Sequence, residues 1–182
     1  MIHRDLRSFL DTLRREGELH VIEETVDPRL ELAEIQRRIV ARQGPALLFS
    51  RVAGSSFPVL TNMFGTARRI ELAFGCAPER FVRRMVEAAG VLMPPRLAEV
   101  WSFRDLLSPT LKLGTRLVRT APVLERRIAP VSLQALPQIQ SWPMDGGAFL
   151  TLPLVYTEDP ATRKGNLGMY RNQLFDERTA GM

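Results

Sequence analysis

Cysteine and histidine are scarce in this chain, which holds one cysteine, Cys76, and two histidines, His3 and His20, in 182 residues. A single cysteine closes no internal disulfide, and without a Cys or His cluster there is no zinc-type ligand set. Cys76 therefore reads as a small buried hydrophobe in a reducing compartment. His3 and His20 stand far apart in sequence with no third partner, which argues against a metal or general-base role and places them at surface or strand-edge positions. No apolar run approaches the roughly 18–20 residues of a membrane span. The opening Met1-Ile2-His3-Arg4-Asp5 leads into charges every two or three residues, not into the apolar core of a signal peptide. These absences predict a cytoplasmic protein. A block of like charge is missing too: the net charge of +5 and pI of 10.3 come from arginines spread over the whole length. No aromatic stacking platform is interleaved among Arg68, Arg69, Arg80, Arg83 and Arg84, since Phe81 falls with Val82, Met85 and Val86 on the apolar side of its helix, and no recognition motif is present. The basic balance therefore points away from nucleic acid and toward small anions, and these arginines read as a solvated helix face.

What is present is ordinary for a globular protein, with 45% apolar and 25% charged residues. Thirteen prolines and twelve glycines imply many short elements and a mixed α and β architecture, not a long bundle. Asp5 can cap a helix carrying Leu6, Phe9, Leu10 and Leu13 on one stripe, with Gly17 as its stop. Glu18 to Glu24 reads as a short strand. Asp27-Pro28 reads as a cap with proline at the first helical position, opening a helix whose buried stripe is Leu32, Ile35, Ile39 and Val40 up to Gly44. Ala46 to Phe49 and Phe57 to Leu60 form a hairpin or adjacent strands, and Arg68 to Phe74 and Pro78 to Ala89 are helices.

Met93-Pro94-Pro95 and Ser108-Pro109 then break the chain. The amphipathic stretch Leu111 to Arg127, with Lys112, Arg116, Arg119, Arg126 and Arg127, reads as a connecting helix or linker whose membrane contact is peripheral at most. A domain boundary falls near residue 125, dividing the chain into 1–125 and 126–182. Beyond it come short strands: Val131 to Leu133, Ile139 to Trp142, Phe149 to Tyr156, and a return over Asn166 to Phe175 after a polar loop, Glu158 to Lys164. Asp145, followed directly by Gly146 and Gly147, reads as a turn former.

Chemistry concentrates in Gly165-Asn166-Leu167-Gly168-Met169-Tyr170-Arg171-Asn172-Gln173. Asn166 is a neutral oxygen donor suited to a hard cation such as magnesium or manganese, Gly168 lets a backbone approach a ligand, and Arg171 carries a planar fork that matches a carboxylate or phosphate. Spacing alone is equally served by an ordinary turn between strands and a solvated arginine.

The nonapeptide resembles the signature of the UbiD-type decarboxylases. So, in order and spacing, do His3-Arg4-Asp5-Leu6-Arg7, Gly17-Glu18-Leu19, Val26-Asp27-Pro28, Gly44 to Phe49, Pro58 to Thr66 and Trp142-Pro143-Met144-Asp145-Gly146-Gly147. The resemblance implies an α+β chain: a mixed α/β domain followed by the first strands of a split β-barrel of flavin-reductase type. It further implies reversible, non-oxidative decarboxylation of an aromatic or α,β-unsaturated acid, a quinone precursor being one example, with prenylated FMN and a divalent metal, manganese or magnesium. Asn166 would bind the metal that bridges to the cofactor phosphate, Met169 and Tyr170 would lie along the flavin, and Arg171 would meet both flavin and substrate carboxylate. The family's metal-site histidine and glutamate, its acidic proton donor and its C-terminal oligomerisation domain have no counterparts here. This leaves Arg171 without an acidic partner and implies a fragment, a truncated product or one piece of a split protein. Such a chain would be inactive alone and would pair with a complementary C-terminal half, within a family whose full-length members are homo-oligomers. The rival reading is a non-catalytic interaction module that docks through an open sheet edge after Phe175.

Overall fold

A computed structural model of the chain describes residues 3–75, 78–91, 101–104, 118–125 and 127–182. Expectations for Cys76, the Arg80 side chain, the proline breaks at 93–95 and 108–109, and Lys112, Arg116 and Arg126 lie outside the described residues. The chain divides into two compact units, Met1–Thr12 with Thr66–Arg127, and Leu13–Gly65 with Ile128–Met182.

Helix α1 (Leu6–Arg15) begins where Asp5 Oδ1 accepts the Ser8 N–H at 2.9 Å while Ser8 Oγ accepts the Asp5 N–H at 3.2 Å. That reciprocal cap satisfies two orphan donors. The Ser8 N–H also holds the Asp5 carboxyl below its ordinary range. The helix stops at Gly17, whose φ of 72° no β-carbon favours.

In the first unit, α3 (Ala67–Phe74) is capped by Thr66 and ended by Gly75 at φ 70°, and α4 (Pro78–Val91) follows. Two expectations are corrected here. Arg69, placed on a solvated face, is 1% exposed, because it shares the inner stripe of α3 with half-buried Leu72 and Ala73 at i+3 and i+4. His3 is half-buried rather than at the surface, a ring nitrogen 2.7 Å from the Leu72 carbonyl oxygen and its ring tilted against that of Phe9 with centroids 5.0 Å apart. Arg83 does stand in solvent beside Glu79, whereas Arg84 lies over the ring of buried Phe103 at 4.6 Å.

The second unit is built on a parallel pair, β1 (Leu19–Val26) and β2 (Ala46–Val52), joined by the crossover helix α2 (Glu31–Ala41), with β3 (Val59–Thr61) antiparallel to β2. A parallel pair needs such a crossover, and its central strand is covered by apolar side chains. Val26, Leu32, Leu47, Phe49, Val52 and Val59 form the core, with Ile22, Ile35, Ile39 and Ile139 packed on it.

The helix start differs from the sequence reading. Asp27 makes a side-chain turn onto the Arg29 N–H at 2.7 Å, and α2 begins only at Glu31. Residues 28–30 are diverted: Gln140 donates to the Pro28 carbonyl at 3.2 Å and accepts from the Leu30 N–H at 2.9 Å.

The strands expected at 131–133 and 139–142 are not strands. The first is a 3-10 turn, Leu133–Ala135, whose Leu133 N–H goes to Glu177 O at 2.8 Å; the second makes a single bridge, Gln140 to Arg29. The run 149–156 splits into β4 (Phe149–Leu150) and β5 (Leu154–Glu158). Leu152 adopts φ 58° and Pro153 has no N–H to continue a ladder. The return splits as well, into β6 (Gly165–Met169), paired with β5, and β7 (Asn172–Leu174), which lies between β4 and β8 (Ala180–Gly181). The edge expected to lie open after Phe175 is thus occupied by β8. The fold is mixed α/β, its sheets small and open. Among the described residues, no helix is long and apolar enough to cross a membrane.

Candidate active site

The nonapeptide crosses from one sheet to another. β6 ends at Met169 and β7 begins at Asn172, so Tyr170 and Arg171 form the step between the two ladders. Strand alternation puts Asn166 and Gly168 on one face of the β5–β6 ribbon, opposite Thr157 and Val155. Leu167 and Met169 share the other face with Tyr156 and Leu154, and all four are more than half exposed. Met169 therefore presents its side chain away from Asn166.

Tyr170 folds back over the Asn166 face. Its hydroxyl accepts from Asn166 Nδ2 at 3.0 Å, and its ring covers Gly168 so closely that a β-carbon there would lie 2.4 Å from Tyr170 Cε2. The glycine is required for the ring to lie flat. With its nitrogen engaged, the Asn166 amide keeps its carbonyl oxygen without a partner among the described residues, the state in which an amide serves a hard cation. The donor set fits a divalent metal in kind but supplies one ligand, because the described residues hold no group of three or more His, Cys, Asp or Glu.

Gly168→Ala is expected to push the exposed Tyr170 ring aside and break its bond to Asn166 while leaving the melting temperature within a few degrees, since the ring can move into solvent. Side-chain amide NMR of Asn166 reads this directly, and an unshifted Asn166 signal in the variant would contradict the close fit.

Arg171 sits in a second cluster. Its Nη2 is 2.8 Å from Asp145 Oδ1, and its guanidinium carbon lies 3.6 Å from the centroid of the Phe149 ring. Asp145 belongs to a tight turn in which its own N–H donates to Trp142 O and its Oδ2 accepts from the Trp142 N–H, both at 3.1 Å. The turn is fastened to β7 by Gln173, whose Nε2 donates to Gly146 O at 2.9 Å. The Asp145 side chain is 12% exposed and that of Arg171 46%. The Arg171 hydrogen bond holds the Asp145 carboxyl below its usual range against the opposing effect of burial, and the Trp142 N–H assists. Asp145 is the turn former that its two following glycines indicated. It is also an acidic partner for Arg171, which corrects the expectation that Arg171 has none. The pairing had little signal in the sequence, since it joins residues 26 apart through the β4–β7 ladder.

The structure thus brings Asn166 together with Tyr170, and Arg171 together with Asp145 and Phe149, with the Tyr170–Arg171 peptide linking the two clusters. Asn166, Met169, Tyr170 and Arg171 are all exposed, so the candidate site lies on an open surface; neither of two cavities in the second unit, of about 510 and 360 Å³, is lined by them.

Comparison with known proteins bears on this arrangement. Residues 10–89 match the 3-octaprenyl-4-hydroxybenzoate carboxy-lyase N-terminal domain, and residues 116–182 match the Rift-related domain of the same enzyme family. The chain is 46% identical over 177 residues to a 4-hydroxybenzoate decarboxylase subunit of Chlamydia pneumoniae, covering 97% of this chain and 30% of that protein. Among solved structures, the vanillic acid decarboxylase of Sedimentibacter hydroxybenzoicus in its open form, with truncated ShVdcD, superposes with a TM-score of 0.75 at 25% identity, over 100% of this chain and 38% of that one. An evolved dimeric form of the UbiD-class enzyme HmfF from Pelotomaculum thermopropionicum, in complex with prFMN, shares the fold with a TM-score of 0.73 at 24% identity, over 96% of this chain and 37% of that one. The chain spans about a third of the length of the curated relatives it matches. With both domain matches in chain order, and with relatives and fold in agreement, this chain belongs to the UbiD family and carries that family's N-terminal domain.

Proposed function

We propose that the chain forms part of a UbiD-type carboxy-lyase that removes carbon dioxide from an aromatic or α,β-unsaturated acid without net oxidation, using prenylated FMN and a divalent metal, manganese or magnesium. A quinone precursor belongs to this substrate class. The supporting observation is the two-cluster step at Tyr170–Arg171, within a chain of a family whose structural neighbours include flavin complexes. When bound, the cofactor supplies the electron sink that decarboxylation needs. The chain's own residues bind and orient. Asn166 contributes its carbonyl oxygen to the metal. Tyr170 holds the Asn166 amide in place, and Tyr170 and Met169 would lie along the flavin. Arg171 holds the substrate carboxylate coplanar with its fork, so that the breaking bond keeps one direction.

The remaining metal ligands and the proton donor are proposed to come from protein other than the described residues, and the chain alone is proposed to be inactive. The exposed apolar face formed by Leu154, Tyr156, Leu167 and Met169 suits cover by further protein: a complementary C-terminal half that completes a split barrel, within a homo-oligomer. On this reading the division near residue 125 separates a supporting α/β part from the strands that meet the cofactor.

The test is retention of metal and flavin by the chain combined with its complementary half. Asn166→Ala should lower bound metal and flavin together, because a hard cation loses one of its few protein oxygens. Full metal and flavin content in Asn166→Ala would remove the role assigned to Asn166.

A further inference from the structure

We infer that Asp145 is the positioning residue for Arg171, setting the orientation in which its guanidinium can receive a planar carboxylate. The two partners are unequal. Asp145 is nearly buried and tied down through the Trp142 N–H, its own turn and the Gln173 bond to Gly146, whereas Arg171 is half exposed on a long flexible stem. Orientation therefore passes from the anchored carboxylate to the arginine. The single contact at Nη2 fixes rotation of the fork about its axis, and the Phe149 ring at 3.6 Å fixes its plane. Asp145 engages Nη2, and among the described residues no other carboxylate lies on the guanidinium, so the rest of its fork can meet an anion.

A partly exposed ion pair contributes little to stability, so holding the fork still is the larger effect of this one. A fixed fork favours an anion with two coplanar oxygens over a spherical one. The negative charge of Asp145 weakens the attraction of Arg171 for every anion alike and so leaves that preference untouched. The inference rests on the reading of Arg171 as the group that meets the substrate carboxylate, but its first measurement does not depend on that reading.

The experiment uses the isotopically labelled 182-residue chain. In the unsubstituted chain the Arg171 Nη protons should appear as separate, slowly exchanging resonances; in Asp145→Asn, which keeps an oxygen for the Trp142 N–H, they should merge while the β4 and β7 amides stay in place. Benzoate and chloride are then titrated, and the ratio of their affinities at Arg171 is compared. The preference for benzoate should fall roughly fivefold or more in Asp145→Asn. It should fall in the same direction in Phe149→Leu, which removes the ring and leaves the turn intact. Arg171 resonances already merged in the unsubstituted chain, or an unchanged preference in Asp145→Asn, would overturn the role of Asp145 and leave the carboxylate reading of Arg171 standing. Separate resonances with no preference for benzoate in the unsubstituted chain would remove the carboxylate reading, and the role inferred for Asp145 with it.

Discussion

Replacing Arg171 by lysine, in a catalytically competent assembly that contains this chain, should reduce turnover by roughly a hundredfold or more, about as much as alanine does. Lysine keeps the charge, but it cannot present paired N–H groups to two carboxylate oxygens while donating to Asp145, nor lie flat on the Phe149 ring. Bound metal should be unchanged in both variants, since Asn166 and not the fork is assigned to it, and saturating cofactor keeps any weakened contact between Arg171 and the flavin from being read as lost turnover. The measurement is the rate at saturating cofactor, with flavin content as the control. Near-normal turnover in Arg171→Lys would make the arginine an ordinary surface charge at a strand crossing.

Phe49→Ala should give the largest stability loss of any single truncation in the second unit. Phe49 is fully buried in the central strand β2, beside Ile22 on one neighbour and Val59 on the other. Truncation to alanine at such a site costs about 3–5 kcal/mol. Against a total stability of about 5–15 kcal/mol, that is a large fraction, and at the low end of the range it leaves the fold only marginally stable. Urea unfolding followed by Trp142 fluorescence in a Trp101→Phe background would read the second unit alone, because the chain has two tryptophans. Exposed Leu6→Ala serves as the comparison and should shift the midpoint little. A Phe49→Ala midpoint close to that of Leu6→Ala would mean that the assigned core is not the cooperative core.

The parts of the fold legible in the sequence are those decided by neighbours in sequence. Asp5, Gly17, Thr66 and Gly75 bound their helices through bonds three to five residues long, and the Ala46 to Thr61 hairpin follows from two apolar runs around Gly54. Partners far along the chain overrode local pattern elsewhere. Gln140 delayed the start of α2, Glu177 drew Leu133 out of an extended conformation, and the positive φ of Leu152 broke what alternation alone presents as one strand. Arg69 went inside because stripe position outweighed charge. At the site, residue types marked Asn166 and Arg171 as ligands for a cation and an anion. The Asn166–Tyr170 bond and the Asp145–Arg171 pair depend on which face each strand shows and where the sheets exchange, and a linear spacing does not carry that information.

The bonds between Gln140 and the Pro28–Leu30 backbone impose an order of events on a chain that is being synthesised. Strands β1 to β3 and helix α2 are complete by Thr61, yet Ile139 and Gln140, which cover part of that core, are translated only after the whole Thr66–Arg127 excursion. At about 5–20 residues per second the interval lasts on the order of 4–15 s, long compared with the milliseconds in which small α/β elements collapse. Throughout that time the β1–β2–β3 sheet waits with part of its apolar flank uncovered and with the Leu30 amide bonded to water instead of to Gln140. The nascent chain is therefore most exposed to chaperones, and to misassociation with its neighbours on a polysome, between the emergence of Thr61 and that of Gln140.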